Sequence, residues 1–209
     1  MKRFYIVMLI TSTLLFGSTR DIYIMRTAVF STIGTYLYGI YKDSSKALIP
    51  FSIGNQKYII ITYGHEFNKK EHRELKSALI GYGFNWSKPF IEANNFKVIG
   101  KTEFNIRRWS GDKNLKKSIG YIFTLLPILE YRFKSNLYLE FGVGFSYLSS
   151  TIVGNRDKST NFQFNDNIGF GYNFNRFSLG YRFTHISNLG IKKPNPSLDF
   201  HSLLLKIKF

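Results

Sequence analysis

From about Phe96 to the end of the chain, apolar residues alternate with polar or small ones, the period expected of strands whose two faces meet different surroundings. Over 137–147, Leu137, Leu139, Phe141, Val143, Phe145 and Tyr147 stand against Tyr138, Glu140, Gly142, Gly144 and Ser146. The next run sets Phe162, Phe164, Ile168, Phe170, Tyr172 and Phe174 against Gln163, Asn165, Asn167, Gly169, Gly171 and Asn173. One face is greasy, and the other is polar or bare. Residues 98–109 and 119–133 alternate less cleanly, and further strand-like runs occupy 75–86 and 57–67.

Alternation alone also suits a soluble sandwich, so the connections matter. Short turns at 134–136 and 173–176 alternate with longer polar loops at 110–118 and 151–160, and short turns at one end with long loops at the other mark an outer-membrane barrel. The last strand puts Leu203, Leu205, Ile207 and the terminal Phe209 on one face, which resembles the sorting signal of such barrels. Counting back gives seven strands and an eighth at 57–67, the even number expected of a bacterial barrel. The expected fold is therefore all-β, an eight-stranded antiparallel transmembrane β-barrel over 51–209. Residues 20–50, with the aromatic run "VFSTIGTYLYGIY", suit an extra strand, a plug or a periplasmic extension equally.

The first residues point to export. Lys2 and Arg3 precede an apolar run over 4–16 and the small residues Gly17, Ser18 and Thr19, the order of a secretory signal peptide over 1–19. After Thr19 no stretch of about eighteen apolar residues occurs, so no transmembrane helix is expected in the mature chain. The 209 residues suit one barrel, and 21 Phe and 14 Tyr suit strands and membrane interfaces. A formal charge of +16 favours an anionic partner, whether nucleic acid, an acidic membrane surface or a phosphorylated lipid. Export and barrel-like alternation argue against nucleic acid as that partner. Absence of cysteine excludes disulfides, thiolate metal sites and a cysteine nucleophile.

Candidate chemistry sits at the end of the seventh strand. Leu179, Tyr181, Phe183, His185 and Ser187 share the apolar face, while Arg182 and Thr184 face the lumen. With Phe209 at the periplasmic rim, His185 and Ser187 fall near the outer leaflet and point toward lipid. A serine hydroxyl becomes a nucleophile when a neighbouring base takes its proton, and residues i and i+2 of a strand lie roughly 6.6 Å apart. A carboxylate must then hold the imidazole in the right tautomer, and Asp199 returns after a loop stiffened by Pro194 and Pro196. Asn195, Asn188 and Gly190 in that loop are candidate donors for an oxyanion hole. By itself a His-x-Ser pair also suits two rim residues bonded to water or backbone.

The stretch "HISNLGIKKPNPSLDF" resembles the lipid A 3-O-deacylases of the outer membrane, the PagL type, in its His-x-Ser-Asn motif, Pro-Asn loop and following acid. The preceding "EFGVGFSYLSSTIVGNRDKSTNFQFNDNIGFGY" is similar to that family's hairpin, and the resemblance spans 98–209. It implies a metal-free enzyme that removes the 3-position acyl chain from lipid A of lipopolysaccharide, with no cofactor. Ser187 would be its nucleophile, His185 the base, Asp199 the orienting acid and Asn195 an oxyanion-hole contributor. Two departures stand out: the family's acid is commonly glutamate, one methylene longer than Asp199, and a position often held by glycine is Ser197 here.

Lys113, Lys116, Lys117, Arg156, Lys158, Lys192 and Lys193 fall in the outer loops, where they suit either the phosphates of lipid A or a merely solvated basic surface. The cations expected at phosphate are Lys192, Lys193, Arg156 and Lys158. His65, His72 and His201 match no zinc arrangement. By parity His201 shares the outward face and competes with His185 for the role of base. The run over 69–76, "KKEHRELK", is expected as a solvated loop or short helix. A structural or adhesive barrel, an esterase of other lipid specificity and a homodimer remain open at this point.

Overall fold

The computed structural model describes residues 20–68 and 73–209. The expected export signal over 1–19 and His72 lie outside the described residues. Eight long strands occur among the described residues: β1 (Lys57–Asn68), β2 (Arg73–Asn85), β3 (Phe96–Ser110), β4 (Ile119–Phe133), β5 (Leu137–Leu148), β6 (Phe162–Asn173), β7 (Phe177–Ser187) and β8 (Leu198–Lys208). Each pairs antiparallel with its sequence neighbour, and β8 pairs with β1 to close the sheet. Closure removes the free edges that an open sandwich would keep. The eighth candidate strand at 57–67 is β1. Residues 73–76, expected in a loop or short helix, instead begin β2, where Lys76 pairs with Ser110 of β3.

The wall is inverted relative to a soluble protein. Outward residues such as Ile61, Tyr63, Ile80, Phe104, Ile106, Phe123, Phe145, Phe170 and Leu203 are exposed, and Leu203 retains 74% of its accessible surface. So much apolar surface around a closed wall fits a hydrocarbon surround. Inward positions carry a buried ionic network: Lys101 pairs with Glu130, Arg182 with Glu103 and Glu140, and Lys206 with Glu140. Tyr58 donates to Glu103 at 3.0 Å. Small residues make room for this filling; a Cβ on Gly180 would lie 2.4 Å from the Tyr138 hydroxyl. The lumen of this eight-stranded barrel is thus occupied by side chains.

Toward the end bearing the β3–β4, β5–β6 and β7–β8 loops, the lumen turns apolar. Leu75, Trp109, Leu115, Ile122, Leu148, Val153, Ile186, Leu198 and Phe200 form one buried cluster there. It fills this mouth of the barrel and anchors the two strand ends that carry the candidate site.

Residues 20–50 are neither an added strand nor a lumenal plug. A helix, α1 (Arg20–Lys42), runs into a 3-10 segment (Ser44–Phe51), and α1 lies against β5 and β6. The Thr35 hydroxyl bonds that of Tyr131, on the outward face of β4, and Tyr36 stacks on Phe90 at 5.5 Å. Phe90 belongs to the 86–95 connection, which folds back over the outward residues Phe84, Val98 and Leu129 and buries them. This connection is longer than the turns at 134–136 and 174–176 that share its end of the barrel.

Candidate active site

The direction of the site follows from what its neighbours bury. Ile186, Leu198 and Phe200 are fully inside the apolar cap. Each fully buried side chain of this kind contributes about 1.5–3 kcal/mol. Because strand side chains alternate, seating those three inward turns His185, Ser187 and Asp199 to the outer wall. A one-residue slip would exchange the two sets.

His185 of β7 lies opposite Asp199 of β8 in register, and its Nδ1 meets Asp199 Oδ1 at 2.6 Å. With the carboxylate ionised, Nδ1 is the donor, which leaves Nε2 to take a proton. The other oxygen, Oδ2, accepts from the Ser197 hydroxyl at 2.8 Å. The Asp199 backbone N–H donates to Glu66 Oε1 at 3.3 Å. Ser197 thus turns one departure from the family pattern into a hydrogen bond on the other, holding the shorter acid from its far side.

Ser187 ends β7 and is 6% exposed. Its Oγ accepts from Leu189 N–H at 3.5 Å, a weak contact. Among the described residues no hydrogen bond joins His185 to Ser187. Enzymes commonly tighten such contacts only with substrate in place.

The β7–β8 loop begins with an Asx turn: Gly190 N–H donates to Asn188 Oδ1 at 2.9 Å. Gly190 has φ +79°, open to glycine at no steric cost. Asn188 Nδ2 donates to the carbonyls of Lys192 at 2.8 Å and Lys158 at 3.2 Å. The Asn188 side-chain amide and the Gly190 N–H, both expected as oxyanion donors, are therefore engaged in building the loop. Asn195 differs: its Oδ1 accepts from Asn188 N–H at 3.0 Å, which orients its Nδ2, and among the described residues Nδ2 donates to no protein acceptor.

The four cations expected at phosphate divide in two. Lys192 and Lys193 are exposed. Arg156 and Lys158 turn inward instead: Arg156 pairs with the buried Glu66 and donates to Ser197 O at 3.1 Å, and Lys158 donates to Ile186 O at 3.4 Å and to Pro196 O. Burial pushes the Lys158 ammonium down to about 7. These partners, rather than solvent, hold the two cationic heads. His201 is also accounted for, since its Nδ1 bonds the Tyr181 hydroxyl and its ring lies 5.0 Å from Phe183. Among the described residues no carboxylate bonds its ring, which separates it from His185.

Sequence reasoning missed Asp166. It is 5% exposed, and in register it flanks His185 from β6 as Asp199 does from β8. The signal was present: an acid interrupts the outward row Phe162, Phe164, Ile168, Phe170, and an ionisable residue facing lipid is uncommon without a role. Glu66 left no such mark, because its contact with Asp199 exists only after β1 and β8 pair.

The family model described as lipid A 3-O-deacylase (PagL) matches residues 76–208, reaching further upstream than the resemblance over 98–209. The Pseudomonas aeruginosa protein named lipid A deacylase PagL is 29% identical over 133 residues, 61% of this chain and 75% of that protein. Its namesake from Bordetella bronchiseptica is 32% identical over 110 residues, 51% and 61% of the respective chains. A crystal structure of the outer membrane enzyme PagL superposes with a TM-score of 0.64 at 24% identity, covering 72% of this chain and 98% of that one. The family match runs through all but one strand of the barrel and takes in the whole His185–Asp199 segment, so the chain belongs to the lipid A 3-O-deacylase (PagL) family of outer-membrane β-barrel hydrolases.

Proposed function

We propose that this chain removes the 3-O-linked acyl chain of lipid A by serine-based acyl transfer on the lipid-facing side of the barrel. The observation that carries the reading is the 2.6 Å contact between His185 Nδ1 and Asp199 Oδ1 on the outward face, two residues from Ser187 on the same strand and face. A multi-chain lipid has no route into the filled, capped lumen, whereas an acyl chain can lie along the apolar outer wall.

Ser187 Oγ attacks the ester carbonyl while His185 Nε2 takes its proton; the ester C–O bond then breaks, and the imidazolium returns that proton to the departing sugar oxygen. Water, activated by the same nitrogen, cleaves the acyl-serine, releasing a fatty acid and restoring the hydroxyl. Asn195 Nδ2 is the side-chain donor for the tetrahedral oxyanion. Lys192 and Lys193, exposed in the same loop, supply charge for the lipid A phosphates.

The test is mass spectrometry of lipid A from cells making the wild-type chain or Ser187→Ala. Loss of one hydroxyacyl mass with the wild type, and none with a correctly folded variant, is the expected result. Continued deacylation by Ser187→Ala would remove the serine from the mechanism, and release of fatty acid from phospholipid instead would change the substrate.

A further inference from the structure

We infer that Glu66, Arg156 and Lys158 form a clamp that sets the position of Asp199 and of the loop carrying Asn195, making the β5–β6 connection a positioning element for catalysis. The inference rests on the catalytic roles proposed above. Its starting point is the direction of the contacts: nearly all reach the backbone on either side of the site rather than its reactive side chains.

Glu66, near the end of β1, is 2% exposed and pairs in register with Phe200. Its Oε1 receives two donors, Arg156 Nη1 at 2.7 Å and the backbone N–H of Asp199 at 3.3 Å. Arg156 Nη2 meets Oε2, and Nη1 also donates to Ser197 O at 3.1 Å. One guanidinium and one carboxylate therefore hold the chain at positions 197 and 199, with the orienting acid at the end of that short span. A planar fork suits this task, because two parallel donors fix angle as well as distance.

The same connection reaches the rest of the loop. Lys158 joins Ile186 O, next to the nucleophile, to Pro196 O, next to Asn195. The Ser159 hydroxyl donates to Pro194 O at 2.7 Å, and the Lys158 carbonyl accepts from Asn188 Nδ2 at 3.2 Å. Residues 156–159 thus tie down the backbone at 186, 194, 196 and 197. Burying an ion pair of this kind carries a desolvation cost that an ordinary solvated loop would avoid. Held geometry accounts for it, since a misplacement of about 1 Å at a reacting group can cost ~100-fold in rate.

The clamp is tested with purified protein in detergent, acting on bisphosphorylated lipid A and on lipid A stripped of its phosphates. Wild type, Ser187→Ala, Glu66→Gln, Arg156→Gln and Arg156→Lys are compared, with heat-modifiable gel mobility reporting the folded barrel. For Arg156→Gln the expected result is a fall in kcat of ~10- to 100-fold on both substrates, with KM changed less than about threefold. Arg156→Lys, which keeps a cation for Glu66, recovers part of that loss. Glu66→Gln, nearly isosteric, loses about tenfold and carries the test if Arg156→Gln does not fold. A rise in KM confined to the phosphorylated substrate would make Arg156 a phosphate contact and overturn the clamp, as would folded variants with unchanged kcat. If Ser187→Ala remains active, the catalytic reading fails instead; an inactive Ser187→Ala beside fully active clamp variants defeats the clamp alone.

Discussion

Replacing Asp199 by asparagine should disable the enzyme while leaving the barrel intact, and the structure says how. In the wild type, Asp199 Oδ1 accepts from His185 Nδ1 at 2.6 Å, while Oδ2 accepts from the Ser197 hydroxyl at 2.8 Å. In Asp199→Asn one oxygen becomes an NH2 group. If Ser197 keeps donating, the remaining oxygen takes the Oδ2 position and the amide nitrogen faces the imidazole. That nitrogen donates to Nδ1, so the ring proton moves to Nε2, which can then no longer accept a proton from Ser187. The analogous exchange in a serine protease, which also leaves the histidine in the wrong tautomer, lowers kcat by about 10⁴. At 1.36 kcal/mol per decade this is about 5.5 kcal/mol of transition-state stabilisation. Asp199 points outward and is partly exposed, so the folded barrel should keep its heat-modifiable mobility and unfolding midpoint. The assay is initial-rate fatty-acid release from lipid A in detergent, with Asp166→Asn as the parallel variant, because Asp166 flanks the same histidine from β6. Asp199→Asn is expected near 10⁻⁴ of wild type and Asp166→Asn within about tenfold of it. An Asp199→Asn enzyme within tenfold of wild type, or an Asp166→Asn enzyme equally dead, would refute the assignment of Asp199 as the orienting acid.

Asn195→Ala removes the loop amide whose Nδ2 donates to no protein acceptor among the described residues, and should lower kcat by about 10²- to 10³-fold with little change in KM; steady-state kinetics decide. Leu203→Arg places a charge on the outward face of β8 between Tyr63 and Tyr181, and near mid-membrane should cost about 2–4 kcal/mol by urea unfolding in lipid vesicles, whereas no cost would put that face in water. Glu140→Ala strips a buried acceptor from Arg182 Nε at 2.7 Å and Lys206 Nζ at 2.6 Å. Leaving those cations short of a partner should destabilise the barrel by about 3–5 kcal/mol in the same unfolding measurement, with the outer-rim geometry and kcat of the surviving folded fraction unaffected.

Several features were readable along the chain because they depend only on local geometry. Side chains of a strand alternate by steric necessity, so the parity that places Leu179 and Phe183 on one face also places His185 and Ser187 there, and Arg182 on the other. Loop lengths then favoured a closed membrane barrel over a sandwich. The segment 185–199 carried its own motif. What the chain could not show is whatever depends on which strands become neighbours. Glu66 stands 133 residues from Asp199 and Arg156 stands 90 from Glu66; only closure of β1 on β8 brings the first pair together, and only the seating of the β5–β6 connection over that seam adds the second. The same cause turned Arg156 and Lys158, two cations among many in the outer loops, away from solvent and into the loop wall. Residues 20–50 gave no clean period, and their helix took its place through contacts with Phe90 and Tyr131, both far along the chain. Sequence by itself determined the wall, its two faces and the placing of His185 and Ser187 together on one of them; tertiary structure decided what stands behind that pair, because register and closure are properties of the whole sheet and of no single strand.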